Sequence, residues 1–156
     1  EVGTDWSGLL RPSYDATIEI LIDERKAELP STGDEIGIKA LSYRHVRRRH
    51  WRDDEPFLLA DLFIDDRLRG RISKKDLGSK TALRLISEAP GVEIVDAKQT
   101  LTIGSADLEA SDLLGVPLGA PVAYVRRQAV DRDGILLLLA NGIYRGDVVR
   151  FDIKLR

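Results

Sequence analysis

The chain has 156 residues, of which 43% are hydrophobic and 32% are charged. This balance is typical of one globular domain large enough to bury a core. The formal net charge is −2, so the chain as a whole is not built to coat a polyanion such as DNA. Cysteine is absent and histidine occurs twice, which excludes disulfides and thiolate chemistry and leads us to expect neither a metal site nor a cofactor.

No apolar run approaches the length of a membrane span, and no signal peptide is visible. We therefore expect a cytoplasmic protein without membrane contact. The chain begins at Glu1 and contains no Met, so we expect a domain excised from a longer protein. Within it, residues 1–16 have the composition of a linker and residues 17–156 that of one folded domain.

Strands dominate the first half of the domain. Thr17–Asp23 alternates between apolar and polar residues, which predicts a strand, and a Pro- and Gly-containing loop follows. Ile38–Trp51 is predicted to form an arginine-rich strand, with Pro56–Ile64 as its antiparallel partner. We expect Arg67–Ser79 to be a polar connection without regular structure.

Two helices interrupt the second half. Thr81–Ala89 carries an apolar stripe at helical spacing, with Ser79 or Thr81 as its cap and Pro90-Gly91 at its end. A second short helix is expected to begin at a Ser105 cap. The remaining segments predict strands: Val92–Ile103, Pro121–Val130, Ile135–Tyr144 and Val148–Leu155. The expected fold class is α+β, an antiparallel sheet with helices packed on it.

A hairpin pattern occurs twice, about 80 residues apart. Val46-Arg47-Arg48 leads through an acidic turn into an apolar strand, and Val125-Arg126-Arg127 does the same, with a one-residue slip after the turn. Two related halves in a small domain predict a pseudo-twofold fold with a cleft between them. Such a cleft is a common place for a small ligand.

The order of several short motifs resembles a known family. They are the arginine-rich strand before Asp54-Glu55-Pro56, the helix before Gly91, residues 113–122 (LLGVPLGAPV), Arg127 before residues 131–134 (DRDG), and residues 144–147 (YRGD) with Phe151. The chain is similar to the UTRA domain, the effector-sensing part of HutC-type regulators in the GntR superfamily. The resemblance covers roughly residues 17–156.

This resemblance implies a chorismate lyase-like fold and a homodimeric bacterial transcription factor. A small-molecule effector would bind this domain. Operator DNA would be bound only through an N-terminal winged helix-turn-helix domain that this chain lacks. Two alternatives stay open: a chorismate lyase-like enzyme acting on an aromatic precursor, and a dimerisation module without a ligand. We favour a sensor that is not an enzyme, because no convincing general acid–base group or nucleophile motif is present.

Five arginines fall within residues 44–52. They are open to three interpretations: a solvated strand edge, a nucleic-acid surface, or anion capture by one or two of them. Strand alternation places Arg48 and His50 on one face and Arg47 and Arg49 on the other. By similarity, Arg48 and His50 fall where the family places an R-x-R pair toward the effector, with His50 as a departure whose charge depends on its surroundings.

Three further residues are candidates for ligand contact, each with a structural alternative. Thr81 is placed to cap its helix or, as the resemblance implies, to hold an anion at the helix start. Arg127 occupies the place of Arg48 in the second hairpin and is placed to contact ligand or to brace that hairpin. Tyr144 fits either the cleft or the core.

Family members that sense amino sugars carry a Glu in the returning strand of each hairpin. Here the corresponding positions are predicted to be Ala60 and Leu138, which are apolar. With Phe57, Phe63 and Leu136 nearby, the pocket should be apolar, with a cationic end at Arg48. We therefore expect the ligand to be a small organic anion with an apolar or aromatic body. Asp61 has the wrong strand parity to replace the missing acid.

Overall fold

The computed structural model describes residues 16–150, 152 and 154–155. Seven strands form one sheet in this part of the chain, with short helices between them. The strands are β1 (Thr17–Ala27), β2 (Ile38–Lys39), β3 (Tyr43–Arg52), β4 (Glu55–Asp65), β5 (Ile94–Ser105), β6 (Pro121–Asp131) and β7 (Ile135–Arg145). The α-helices are α1 (Lys74–Leu77), α2 (Ala82–Ser87) and α3 (Leu108–Leu114), and 3-10 turns cover Asp66–Arg71 and Gly146–Val148.

The main strand order is β1-β3-β4-β7-β6-β5, and every neighbouring pair in it is antiparallel. The short β2 lies off this path and pairs in parallel with β7. The predicted α+β class with an antiparallel sheet is therefore confirmed. Among the described residues, no helix is both long and apolar enough to cross a lipid bilayer.

The two similar hairpins lie side by side at the centre of the sheet. Their returning strands, β4 and β7, pair with each other around Asp61 and Asn141. Within the first hairpin Arg48 lies opposite Ala60, and within the second Arg127 lies opposite Ala140. This matching register gives the centre of the sheet the pseudo-twofold arrangement that the sequence repeat predicts.

Turn geometry explains the one-residue slip between the hairpins. The first turn has two residues, Asp53 and Asp54, both in the left-handed region with φ of 49° and 64°. The second has three residues and ends at Gly134, with φ of 81°. A two-residue turn with both φ values positive and a three-residue turn with a left-handed glycine are both common hairpin connections. The longer turn shifts the numbering of the returning strand by one.

The two faces of the sheet are covered differently. One face carries α1, α2 and the Asp66–Arg71 turn, whose apolar side chains join the main core with alternate residues of β4. The opposite face carries α3 at one end, over Leu59, and the segment around Leu29 and Tyr43 at the other. Because strand side chains alternate between faces, neighbouring residues of the central strands enter different surroundings.

The apolar stripe predicted for the first helix is confirmed: Ala82, Leu85, Ile86 and Ala89 are all buried. The second helix is also present, but its cap is Asp107, whose carboxylate accepts a hydrogen bond of 2.8 Å from the Ala110 amide. The prediction of a Ser105 cap was wrong because β5 continues through Ser105, which pairs with Pro121.

The prediction of a single strand over Ile38–Trp51 was wrong, because this segment divides into β2 and β3. At the break, the Ala40 amide donates to the Tyr43 hydroxyl, which donates to the Leu136 carbonyl. This link to β7 holds β2 beside a strand that is distant in sequence.

The Arg67–Ser79 connection was also predicted incorrectly, because it contains a 3-10 turn and α1. Ser73 caps α1 by accepting a hydrogen bond of 3.0 Å from the Asp76 amide. Side chains of Asp65 and Ser73 therefore organise a segment that the sequence suggested was irregular.

A strand predicted over Val148–Leu155 is not present among the described residues of that range. Val148 ends a 3-10 turn, where Arg145 pairs with Asp147 at 2.9 Å. A Cβ on Gly146 would lie 2.6 Å from the Pro121 carbonyl oxygen, so the chain turns tightly against β6 there. Phe151, Ile153, Arg156 and all but the last residue of the linker proposed for residues 1–16 lie outside the described residues.

Candidate functional site

A cavity of about 30 Å³ lies between the centre of the sheet and the start of α2. This volume has room for one or two water-sized molecules. Four strands and one helix contribute to it, so both hairpins share the cavity. Its lining consists of Arg48, His50, Phe57, Leu58, Ala60, Leu62, Thr81, Ala82, Val125, Arg127, Ala140, Gly142 and Tyr144.

Seven of the eight residues predicted to contact ligand line this one cavity. They are Arg48, His50, Phe57, Ala60, Thr81, Arg127 and Tyr144. The eighth, Leu138, is fully buried in the main core and does not line the cavity. The structure thus brings together side chains that are up to 96 positions apart, from Arg48 to Tyr144 (144 minus 48). Their role toward a ligand stays a prediction.

Leu138 misses the cavity because of the hairpin register. Ala60 lies opposite Arg48, and the residue opposite Arg127 is Ala140. Leu138 lies farther along β7, opposite Ala129 of β6 and Ile64 of β4. Ala140 is therefore the counterpart of Ala60.

Arg48 is the most deeply placed cation of the cavity, with 1% of its surface exposed. Its guanidinium donates through NH1 to the Leu77 and Lys80 carbonyls, at 2.7 and 2.8 Å. These carbonyls flank the connection between α1 and α2, so Arg48 ties the sheet to the helical layer. Burial lowers the pKa of Arg48 to about 10, which still leaves the side chain charged at neutral pH.

Arg127 is the second cation, supplied by the other hairpin. Its Nε donates to the Gln99 side chain at 2.6 Å. Tyr144 lies beside it in the cavity lining, where burial raises the pKa of the phenol and the nearby Arg127 guanidinium opposes that rise. Tyr144 therefore keeps its proton at neutral pH and can donate a hydrogen bond.

His50 is 2% exposed and contacts the ring of Phe57 edge to face, with centroids 6.0 Å apart. Neither ring nitrogen has a hydrogen-bond partner among the described residues. Burial, together with the positive charges of Arg48 and Arg127, lowers the pKa of His50 to about 3. The imidazole is therefore neutral at physiological pH. At the position where the family resemblance implies an arginine, this chain thus carries an uncharged side chain.

Thr81 lies at the N-cap position of α2, yet its side chain makes no capping hydrogen bond. The structural alternative proposed for this residue, a side-chain cap, is therefore wrong. The hydroxyl belongs to the cavity lining instead, next to the Lys80 carbonyl that Arg48 binds. Thr81 thus joins the cavity to the segment that Arg48 holds.

Small residues make the floor of the cavity. Ala60 lies between Arg48 and Gly142 across three strands, and Leu62 lies beside Ala140 in the next row. Sequence reasoning missed six lining residues: Leu58, Leu62, Ala82, Val125, Ala140 and Gly142. The hairpin repeat held the signal for several of them, since Val125 shares strand parity with Arg127, and Ala140 and Gly142 share parity with Tyr144.

Two aromatic or apolar residues expected around the cavity lie elsewhere. Phe63 and Leu136 belong to the smaller core cluster with Tyr43 and Leu139, away from the cavity lining. Phe63 has odd parity in β4, so it points away from Ala60 and stacks on His45 at 4.6 Å. The cavity wall is apolar nonetheless, through Phe57, Leu58, Leu62 and Val125.

Among the residues that the structure describes, no carboxylate lines the cavity, although two guanidinium groups do. Other arginines of β3 have acidic partners: Arg44 pairs with Asp23 and Arg47 with Asp61, at 2.8 and 2.9 Å, and Arg49 pairs with Glu19. The solvated-edge interpretation is wrong for this strand, because β3 lies inside the sheet between β1 and β4. The parity argument against Asp61 holds, since Asp61 binds Arg47 and His45 on the other face.

The antiparallel sheet, the duplicated hairpins and the short helices packed on the sheet define a chorismate lyase-like α+β domain. The UTRA domain family matches residues 35–150. The chain therefore belongs to the UTRA family, the effector-binding domains of GntR-family transcriptional regulators. The family expectation drawn from the sequence motifs is confirmed.

Similarity to individual proteins agrees with this assignment. The chain is 27% identical over 110 residues to the HTH-type transcriptional repressor NagR of Bacillus subtilis (strain 168). The match covers 70% of this chain and 45% of that repressor, so the chain spans about half the length of this relative.

Solved structures share the fold. The C-terminal domain of histidine utilization repressor from Pseudomonas syringae pv. tomato str. DC3000 has a TM-score of 0.74 at 17% identity, over 90% of this chain and 99% of that one. The ligand-binding domain of a putative GntR-family transcriptional regulator from Bordetella bronchiseptica has a TM-score of 0.65 at 24% identity, over 90% and 89%. At these identities the structures establish the fold alone.

Proposed function

We propose that this domain is the sensor of a bacterial transcriptional regulator and binds a small organic anion with an apolar or aromatic body. One observation carries the proposal: the buried Arg48 and the half-buried Arg127 line one mainly apolar cavity, and none of its described lining residues is a carboxylate. A buried charge without an opposite charge is unfavourable, and an anionic ligand would supply the missing one.

The apolar wall supports an organic body for the ligand. Phe57, Leu58, Leu62 and Val125 offer no hydrogen bonds from their side chains to a polyol. Binding a ligand larger than one or two waters requires the lining to move, since the cavity is only about 30 Å³. A small displacement of the α1–α2 segment would enlarge it.

Arg48 would couple ligand binding to a change in the position of the helical layer. Its guanidinium binds the carbonyls on both sides of the α1–α2 connection, and Thr81 follows directly. An anion that competes for this guanidinium would change the balance between two positions of the helical layer. A ligand shifts such a balance only by its differential affinity for the two states, and about 1.4 kcal/mol shifts it tenfold.

In the whole regulator, this shift would reach an N-terminal winged helix-turn-helix domain bound to operator DNA. We propose residues 17–156 as the effector-binding unit and a homodimer in the cytoplasm as the working form. The relative NagR is a transcriptional repressor, which supports a role in transcription control.

A lyase function is less well supported by the lining. Elimination chemistry needs a positioned acid or base. Among the described lining residues, the titratable groups are two arginines, a phenol that keeps its proton, and a histidine whose pKa is about 3. Incubation with chorismate should release no pyruvate, and release at an enzymatic rate would favour the lyase.

Thermal-shift measurements on the 156-residue chain test the sensor proposal. Phenylacetate and hexanoate should raise the melting temperature by several degrees at saturating concentration, and glucosamine 6-phosphate should not. Arg48→Gln should remove the effect of both acids. Stabilisation by the sugar phosphate alone, or unchanged acid binding by the variant, would overturn the proposal.

A further inference from the structure

Three nitrogen atoms in the cavity lining are buried and have no hydrogen-bond partner among the described residues. They are Nε of Arg48 and both ring nitrogens of His50. The two side chains are 1% and 2% exposed. Buried polar atoms are nearly always paired, because an unpaired one loses its hydrogen bonds to water. Three such atoms on neighbouring side chains of one strand face indicate a polar subsite for ligand.

The hydrogen-bonding character of this subsite follows from the protonation of His50. Burial and the two guanidinium groups keep the imidazole neutral. A neutral imidazole has one N–H donor and one nitrogen that accepts. Together with the Nε–H of Arg48, the subsite therefore presents two donors and one acceptor.

A simple carboxylate satisfies only part of this subsite. Its oxygens accept from the Nε–H of Arg48, but it has no proton for the accepting nitrogen of His50. A neutral hydroxyl or N–H beside the carboxylate provides that proton. An ammonium group would be repelled by Arg48 and Arg127, so an amino acid is a poorer match.

Resting on the proposed function, we propose that the ligand is an organic acid with a neutral hydrogen-bond donor beside its carboxylate, as in a 2-hydroxy acid. His50 is the residue that selects it. A site built to bond a ligand hydroxyl discriminates strongly against the analogue without it, because its own polar group is then left unpaired. The apolar wall around Phe57 and Val125 would hold the remainder of the ligand.

Matched pairs of acids test this inference by isothermal titration calorimetry. Mandelate is compared with phenylacetate, and 2-hydroxyhexanoate with hexanoate, so that each pair differs by one hydroxyl. The 156-residue chain should bind a hydroxy acid at least tenfold more tightly than its partner. Equal affinity within both pairs would overturn the role of His50 while leaving the anion sensor intact. Binding of none of the four acids would overturn both.

Variants of the two histidines locate the selectivity. His50→Leu should bind both members of each pair equally, and His50→Gln, which keeps a donor and an acceptor, should restore the preference in part. His45→Leu is the matched control, because His45 lies on the other face, bonded to Asp61 and stacked on Phe63. Persistent hydroxyl preference in His50→Leu would contradict the assignment. The comparison within the unmodified chain remains decisive if that variant fails to fold.

Discussion

The two faces of the sheet use neighbouring arginines in opposite ways. Arg47 and Arg126 point to one face, where Arg47 pairs with Asp61 at 2.9 Å and Arg126 pairs with Asp34 at 3.0 Å. Arg48 and Arg127 follow directly in the sequence and point to the cavity, whose lining contains no carboxylate from the described part of the chain. Identical side chains one residue apart thus have different tasks. The paired arginines stabilise the fold, and we propose that the pair in the cavity binds an anion.

The largest expected effect is on ligand binding at Arg127. Arg127→Met should weaken the affinity for the more tightly bound of phenylacetate and mandelate by about 100-fold, because truncating one partner of a desolvated charge pair costs 2 kcal/mol or more. Arg126→Met, its neighbour on the other face, should change the same affinity by less than about threefold. Isothermal titration calorimetry measures both affinities. Equal losses of affinity in the two variants would contradict the proposed difference between the two faces.

The opposite ranking should hold for folding stability. Arg47→Met leaves the half-buried Asp61 carboxylate without its main ion pair, and should lower the free energy of unfolding by about 1–3 kcal/mol. Arg127→Met removes hydrogen bonds to Gln99 and Tyr144 but no ion pair with a described residue, and should change the free energy of unfolding by less than about 1 kcal/mol. Urea denaturation gives both values. A larger loss in Arg127→Met would mean that the cavity arginine is chiefly structural.

The free energy of unfolding should depend on pH because His50 is buried. Its folded-state pKa of about 3 lies below the ordinary value of 6.5, so the unfolded chain binds a proton that the folded chain does not. Stability should therefore fall as the pH drops below 6.5, by about 1–2 kcal/mol down to pH 5. His50→Leu should flatten this part of the profile, and an unchanged profile in that variant would contradict the assignment. Glu88, whose pKa is lowered to about 2, loses its contribution only at more acidic pH.

Filling the floor of the cavity should have the smallest effect. Ala60→Val adds two methyl groups between Arg48 and Gly142, at a point where small residues leave space. Acid affinity should fall about tenfold while stability changes by less than about 1.5 kcal/mol. Ala97→Val on the exposed face of β5 is the control and should leave the affinity unchanged. Full acid affinity in Ala60→Val would place the ligand elsewhere.

Local regularities made much of the site predictable. Strand alternation alone placed Arg48 and His50 together and put Asp61 on the other face. The repeat of the two hairpins then joined Arg127 to the same cavity. Strand alternation and an internal repeat can both be recognised in a single amino-acid sequence.

Other features depend on distant parts of the chain. The prediction that Leu138 lies in the cavity was wrong, because the register of β7 is set by the three-residue turn ending at Gly134 and by pairing with β4. The break between β2 and β3 arises from contacts with Leu136, about a hundred positions away from Lys39. The neutrality of His50 depends on burial and on Arg127 from the other hairpin. Neither burial nor distant pairing is visible in local sequence.

A crystal structure of the chain grown with 4-bromophenylacetate tests the central claim most directly. We expect an anomalous bromine signal against the wall formed by Phe57 and Val125, with the carboxylate bound by both Arg48 and Arg127. Ligand density only on the opposite face, beside Arg47 and Arg126, or none in the cavity at saturating concentration, would contradict it.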